Sequence, residues 1–156
     1  SVNIPNSVTD IGEGVFEGCI GLTSVDIPNS VTSIGLWTFK RCSALTSVNI
    51  PNSVTDIGEG AFDGCSSLTT ISFGTGIKNV DTGAFGRCDK LQKVNISNLA
   101  TWCNIDFGYQ YRQYDRTSPI ASSNPLYYAH NLYLNDELVT DLVIPDGVKF
   151  KLIIYN

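Results

Sequence analysis

Cys19, Cys42, Cys65 and Cys88 stand 23 residues apart, and their neighbours repeat with them. Leu22, Leu45, Leu68 and Leu91 follow each cysteine by three positions, Val25, Val48, Ile71 and Val94 by six, and Ile27, Ile50, Phe73 and Ile96 by eight. Further along the unit come Val8, Val31, Val54 and Ile77, then Ile11, Ile34, Ile57 and Val80, then Phe16, Phe39, Phe62 and Phe85. Every column is apolar. A unit this short cannot bury such a set by itself, so each copy must be covered by its neighbours.

A strict period in this range with an L-x-x-V-x-I core predicts a leucine-rich repeat solenoid. The expected fold is mainly β: a right-handed superhelix of 23-residue coils, with a parallel sheet on one face and short strands or 3-10 turns on the other. In Leu45-x-x-Val48-x-Ile50 the alternation turns Val48 and Ile50 inward and Ser47 and Asn49 outward. Pro51-Asn52-Ser53 is turn chemistry, because proline presets φ, lacks a donor, and is followed by side chains that bond nearby backbone. Val54 and Ile57 return to the core on the far side, Gly58, Gly60 and Ala61 suit a tight corner, and Phe62 to Cys65 has room for a short helical turn. Strands of successive coils then lie parallel at about 4.8 Å. About six buried apolar side chains per coil, at roughly 1.5 to 3 kcal/mol each before conformational entropy, make stacking the source of stability.

The period lapses at Asn95-Ile96 and returns at Val139-x-x-Leu142-x-Ile144-Pro145-Asp146-Gly147-Val148. From Val94 to Leu142 is 48 residues, so the intervening insert is expected to replace about two coils. Its end reads as a hairpin, with Asn131 to Leu134 and Leu138 to Ile144 flanking Asn135-Asp136, both residues that tolerate positive φ. Trp102, Ile105 and Phe107 are placed to seal the last regular coil. Lys151 falls where Ile34 and Ile57 sit, which puts the Phe150 to Tyr155 tail out of register. The chain is therefore read as one structural domain: regular repeats over 1–96, an insert over 97–137 continuous with the solenoid, and a partial repeat with its tail over 138–156. Ser1-Val2-Asn3-Ile4-Pro5 matches Ser47-Val48-Asn49-Ile50-Pro51, so the chain begins inside a coil with an open strand edge. Either upstream repeats or an end-to-end oligomer is expected there. No stretch approaches the roughly 20 apolar residues of a membrane helix, so no membrane insertion by this segment is expected.

Catalytic and metal chemistry find little support. Four cysteines in one column point the same way, whereas tetrahedral zinc needs ligands converging from different directions, and parallel Cβ vectors are poor disulfide geometry. Buried free thiols acting as small hydrophobes are expected, with Cys103 outside the column. His130 is the sole histidine and falls in a strand-like Tyr127-to-Leu134 run. Paired carboxylates such as Asp10/Glu13 and Asp56/Glu59 recur with the period, as surface features of each unit do. No nucleophile elbow, zinc helix or phosphate loop occurs. A pI near 4.6 and the lack of a basic stripe disfavour nucleic acid. No enzyme activity, metal or cofactor is expected.

The unit I-P-N-S-V-T-x-I-G-x-x-A/V-F-x-G-C-x-x-L-T-S-V, seen at Ile27–Val48 and Ile50–Ile71, closely resembles the BspA-like leucine-rich repeats of surface proteins from mouth and gut anaerobes and some parasitic protists. The resemblance covers Ser1–Ile96. Trp102-Cys103-Asn104-Ile105-Asp106-Phe107 and the segment from Asn124 to Leu134 also resemble an insertion that recurs in bacterial members. The resemblance implies an extracellular or cell-surface protein that binds host matrix or plasma proteins or other bacteria, and it carries over no catalytic residue. Two departures stand out. Trp37 takes the place of Gly14, Gly60 and Gly83, and Ser72-Phe73-Gly74-Thr75-Gly76 replaces the Ile-Pro-Asn-Ser step.

Two surfaces are candidates for binding. The outward sheet positions form one column of Ser24, Ser47, Thr70 and Lys93 beside another of Asp26, Asn49, Ser72 and Asn95. This face can make many hydrogen bonds but lacks aromatic and Arg anchors; its plain alternative is a solvated face with Asn and Ser bonding along the ladder. The second surface is the insert, where Tyr109, Tyr111, Arg112 and Tyr114 interleave aromatic and cationic groups. These tyrosines either stack on sugar rings or grip a protein, or pack down on Trp102 and Phe107. Trp37, with Lys40 and Arg41 on a corner, is a lesser candidate. The expected function is a non-enzymatic surface adhesion or ligand-binding module for a protein or glycan; the alternative is a passive spacer presenting another domain.

Overall fold

The computed structural model describes residues 1–108 and 124–140. Each 23-residue unit sends one strand to each of two faces, in the order β1 (Val2–Asn3), β2 (Asp10–Ile11), β3 (Val25–Asp26), β4 (Ser33–Ile34), β5 (Ser47–Ile50), β6 (Asp56–Ile57), β7 (Thr70–Phe73), β8 (Asn79–Val80) and β9 (Lys93–Ile96). The odd-numbered strands form the first face, where β1 pairs with β3 and β5, β7 and β9 lie side by side; β2, β4, β6 and β8 form the second. All these pairs are parallel and in register, with Ser47 opposite Thr70 and Thr70 opposite Lys93. The repeat columns of the sequence are thus stacks in space.

Those stacks make the core. Phe39, Phe62 and Phe85 are fully buried, and each ring lies almost flat on the next, at centroid separations of 5.2 and 5.4 Å. Phe16 continues the stack at 5.2 Å but is only half-buried, because it lies in the first coil. Polar residues are used in the same way. The hydroxyls of Thr32, Thr46, Thr55 and Thr69 each donate to the carbonyl of the threonine 23 residues earlier. Cys42, Cys65 and Cys88 donate their thiol hydrogens to the Phe16, Phe39 and Phe62 carbonyls at 3.1, 3.2 and 3.3 Å.

Cys19 departs from the expected column of buried thiols. It is exposed, since the thiol of each coil packs on the coil before it and no described coil precedes the first. Burial pushes the Cys42 thiol up to about 11 and Cys88 to about 12, and raises Cys65 further. In the folded chain, one of the five thiols should therefore react rapidly with Ellman's reagent, and a Cys19→Ser variant should show none until denaturant is added. The stacked thiols stay protonated where those of the unfolded chain, with an ordinary value of 9.0, already ionise. The stability they contribute is fully present below pH 9 and is lost as the pH rises toward 12. Urea midpoints measured across that range should fall, and a flat profile would contradict the burial.

The corner between the second face and the next coil needs two left-handed residues per unit. Gly14, Gly60 and Gly83 take the first position at φ of 63°, 59° and 64°, and Trp37 adopts 56° there. At the second position Gly18 and Gly64 have φ of 70° and 75°, while Arg41 and Arg87 stand at 59° and 54°. A side chain in this region costs about 1–2 kcal/mol. Arg87 is compensated: it forms an ion pair through Nε and a second guanidinium nitrogen with buried Asp63, and its N–H donates to the Tyr128 hydroxyl at 2.8 Å. Arg41 is exposed, with no such pair among the described residues. Arg41→Gly should raise stability by about 1 kcal/mol, read as a higher urea midpoint. Phe62 to Cys65 runs as a turn, closed by the Cys65 N–H on the Phe62 carbonyl at 3.1 Å, without completing a helix.

After β9 the chain forms α1 (Leu99–Cys103), capped at its start by the Asn98 side chain accepting from the Thr101 N–H at 2.9 Å. This helix puts Trp102 edge-on against Phe73 and Phe107, at 5.3 Å from each, and buries Ile105. The three residues expected to seal the coil do so. Strand β10 (Asp106–Phe107) then joins the second face beside β8. Further on, α2 (Leu126–Ala129) leads into β11 (Leu132–Leu134), which pairs in parallel with β9 and antiparallel with β12 (Glu137–Leu138).

Three expectations are corrected here. Leu132 lies opposite Val94, a separation of 38 residues, so the insert makes one enlarged coil rather than two. Phe107 already faces Val80, 27 residues back, and the larger part of the excess falls between β10 and β11. Tyr127 to Leu134 is not one strand: α2 ends at His130, which is exposed and left-handed at φ 55°, before β11 begins. The hairpin forms around Asn135 and Asp136, at φ of 50° and 68°, but its second strand starts at Glu137 and not Leu138. Most of the Val139–Val148 return and all of the Phe150–Tyr155 tail lie outside the described residues.

Candidate binding groove

β1, β3 and β5 each end by turning through a proline-asparagine step, β7 through Gly74-Thr75 and β9 through Ser97-Asn98, and the bend leaves a concave seam between strand and turn. Stacked over five coils, the seam becomes an open groove of about 770 Å³. One wall is the row Asn3, Asp26, Asn49, Ser72 and Asn95, the last outward position of each strand. The other is the turn row, with Asn6, Asn29, Asn52 and the backbone of Gly74. Edges of the core residues Ile27, Ile50, Phe73 and Ile96 reach the floor, and Asn135 and Asp136 of the hairpin tip stand at one end.

The hairpin tip is held there by the sheet. The Asp136 N–H donates to the Asn95 carboxamide oxygen at 3.0 Å, and the Lys93 ammonium reaches the Asp136 carboxylate at 2.7 Å. The same ammonium lies 4.5 Å from the centre of the Tyr133 ring. Lys93 and Asn95, two of the sheet-face candidates, are therefore occupied in closing the groove. Asn52 is also engaged, since its side-chain oxygen accepts from the Thr75 N–H at 2.9 Å. Asn49, Asn29 and Asp26 are exposed, and their side chains have no hydrogen-bond partner among the described residues. Asn95 and Asn52 thus bond to the next coil, whereas Asn29 and Asn49 present their carboxamides outward.

Of the remaining sheet-face candidates, Ser72 lines the groove, while Ser24, Ser47 and Thr70 sit on the column beside it and outside the lining. Tyr109, Tyr111, Arg112 and Tyr114 lie outside the described residues. Trp37 is half-buried on its corner, with the Lys40 ammonium 4.4 Å from its ring and the indole against Gly60. The turn asparagines and the hairpin tip are the groove residues that reading the sequence missed as binding groups. Their signal was present, since Asn6, Asn29 and Asn52 recur at one step of the unit, but turn chemistry alone already accounts for asparagine after proline. Among the described residues Asp26 and Asp136 are the only charged ones in the lining, and Asp136 is neutralised by Lys93. Among the described residues no group of His, Cys, Asp and Glu is arranged to hold a metal ion, and no helix is long and apolar enough to cross a membrane.

A stack of parallel coils with a polar groove along one seam defines a leucine-rich repeat scaffold. The profile of the BspA type leucine rich repeat region matches residues 1–110 in six copies, and the chain belongs to that family. Among solved structures it is similar to a leucine-rich repeat protein of T. pallidum, at 32% identity and a TM-score of 0.57 over 60% of this chain and 46% of that one. A leucine rich cell surface protein from Faecalibacterium prausnitzii shares 30% identity, with a TM-score of 0.64 over 67% and 28% of the two chains. A leucine-rich repeat protein from Bacteroides ovatus shares 37%, with a TM-score of 0.55 over 60% and 24%. The chain spans less than half the length of each of these relatives. None of the curated proteins matches it.

Proposed function

We propose that this chain is a non-enzymatic ligand-binding segment of an extracellular or cell-surface protein, and that its ligand, a protein or a glycan, lies in the groove between the strand ends and the turns. The observation that carries the reading is the two facing rows of asparagine, with Asn29 and Asn49 exposed and free of partners among the described residues. The family and the relative described as a cell surface protein support the location. The tyrosines of the insert, Tyr109, Tyr111 and Tyr114 with Arg112, are a second contact surface in this proposal. A spacer role is the competing reading, favoured by the unbroken phenylalanine stack, which makes the coils a stiff rod.

The test is a screen against immobilised matrix proteins, plasma proteins and a glycan array. It uses the wild-type chain, an Asn29→Ala/Asn49→Ala variant and a Tyr109/Tyr111/Tyr114→Ala variant. Binding lost in the asparagine variant supports the groove. Binding lost only in the tyrosine variant moves the site to the insert, and a blank with all three favours the spacer.

A further inference from the structure

We infer that the groove takes a neutral, linear oligosaccharide laid across the strands, about one sugar ring per coil. This rests on the groove being the binding site. The inference follows from what the walls offer and how often they offer it. A carboxamide both donates and accepts, as does each hydroxyl of a sugar, so Asn49 and Asn29 can pair with a polyol whichever way its hydroxyls point. The coils place equivalent groups about 4.8 Å apart along the groove. A pyranose ring in an extended glycan advances by nearly the same distance, and because a carboxamide both donates and accepts it can pair with either edge of a ring, so the roughly 180° turn between successive β-linked rings does not break the match. An extended peptide returns a side chain to the same face only every ~6.6 Å and falls out of step.

The other occupants fit less well. The described groove walls hold no Trp, Tyr or Arg, the anchors that dominate protein–protein interfaces, which disfavours a folded partner. Among the described residues no unpaired cation lines the groove and none pairs with the Asp26 carboxylate, which disfavours sulfated and sialylated chains. Within the described coils the row from Asn3 to Asn95 runs roughly 19 Å, and the hairpin tip closes one end. These coils should therefore hold about five rings, the last against Asn135.

The experiment is calorimetric titration with neutral β-linked gluco- and manno-oligosaccharides from the disaccharide to about eight rings. Sialylated and sulfated glycans and the matrix-protein panel are run alongside. Affinity should rise with each ring up to about five and then level off, and Asn49→Ala should lower it about tenfold. Binding of a protein or a charged glycan that Asn49→Ala abolishes, with no neutral oligosaccharide bound, would overturn this inference and leave the groove as the site. Binding unaffected by the groove variants, or none at all, would overturn both.

Discussion

Gly76→Ala is expected to be the most damaging single methyl that can be added to the turns of this chain. A Cβ at Gly76 would stand 2.0 Å from the carbonyl oxygen of Asn52 and 2.9 Å from that of Val54. Both are backbone atoms of the preceding turn, so no side chain can swing aside. The contact arises because Gly74-Thr75-Gly76 settles directly on Pro51-Asn52-Ser53, with a Cβ at Gly74 also only 2.6 Å from the Asn52 nitrogen. The Thr75 N–H bond to Asn52 fixes the two turns together. Separating them would break that bond and open the seam beneath the groove. The expected loss is at least about 3 kcal/mol in urea unfolding. Gly12→Ala is the control, since its nearest neighbour, a Val15 methyl, is 3.9 Å away; it should change stability by less than about 0.5 kcal/mol. Equal effects from the two substitutions would mean that the fourth turn does not bear on the third.

The second large effect is in the phenylalanine stack. Phe62→Ala should cost about 4 kcal/mol, because the ring is fully buried and faces Phe39 on one side and Phe85 on the other. Phe16→Ala removes the same atoms from the end of the column, where the ring is half-buried and stacked on one side only. Its loss should be about half as large. Solenoid stability is a sum of coil and interface terms, so the difference between the two variants measures what a second neighbour contributes. Similar losses at the two sites would show that the stack is not cumulative.

Much of this architecture was readable from the chain because a solenoid is nearly one-dimensional. The environment of a residue is set by the residues 23 before and after it, so columns of Val, Ile, Phe and Cys could be assigned to the core by counting. The same logic placed Ser47 and Asn49 outward and paired β5 with β7 and β9 in register. The hairpin at Asn135-Asp136 was visible because the two residues tolerate the left-handed backbone such a turn demands. Trp102 was visible as a seal because a large apolar residue after the period lapses has one exposed coil end to cover.

Counting fails where the distance along the chain stops being the distance in space. The length of the enlarged coil was set mainly by the chain between β10 and β11, and residues 94 and 132 give no local sign of being partners. Cys19 belongs to the cysteine column by sequence but has no described coil beneath it. The groove is the clearest case. Asn49 reads as a strand residue and Asn52 as a turn residue, and only the bend between them turns their side chains onto one concave surface. Its end wall comes from Asp136, more than forty residues beyond Asn95, carried there by the Lys93 ion pair and the Asn95 hydrogen bond. Repetition specified by local pattern determined the coil, its register and its core from the amino acids alone. Concavity and closure were decided in three dimensions, because they depend on bends and on contacts between segments that share no period.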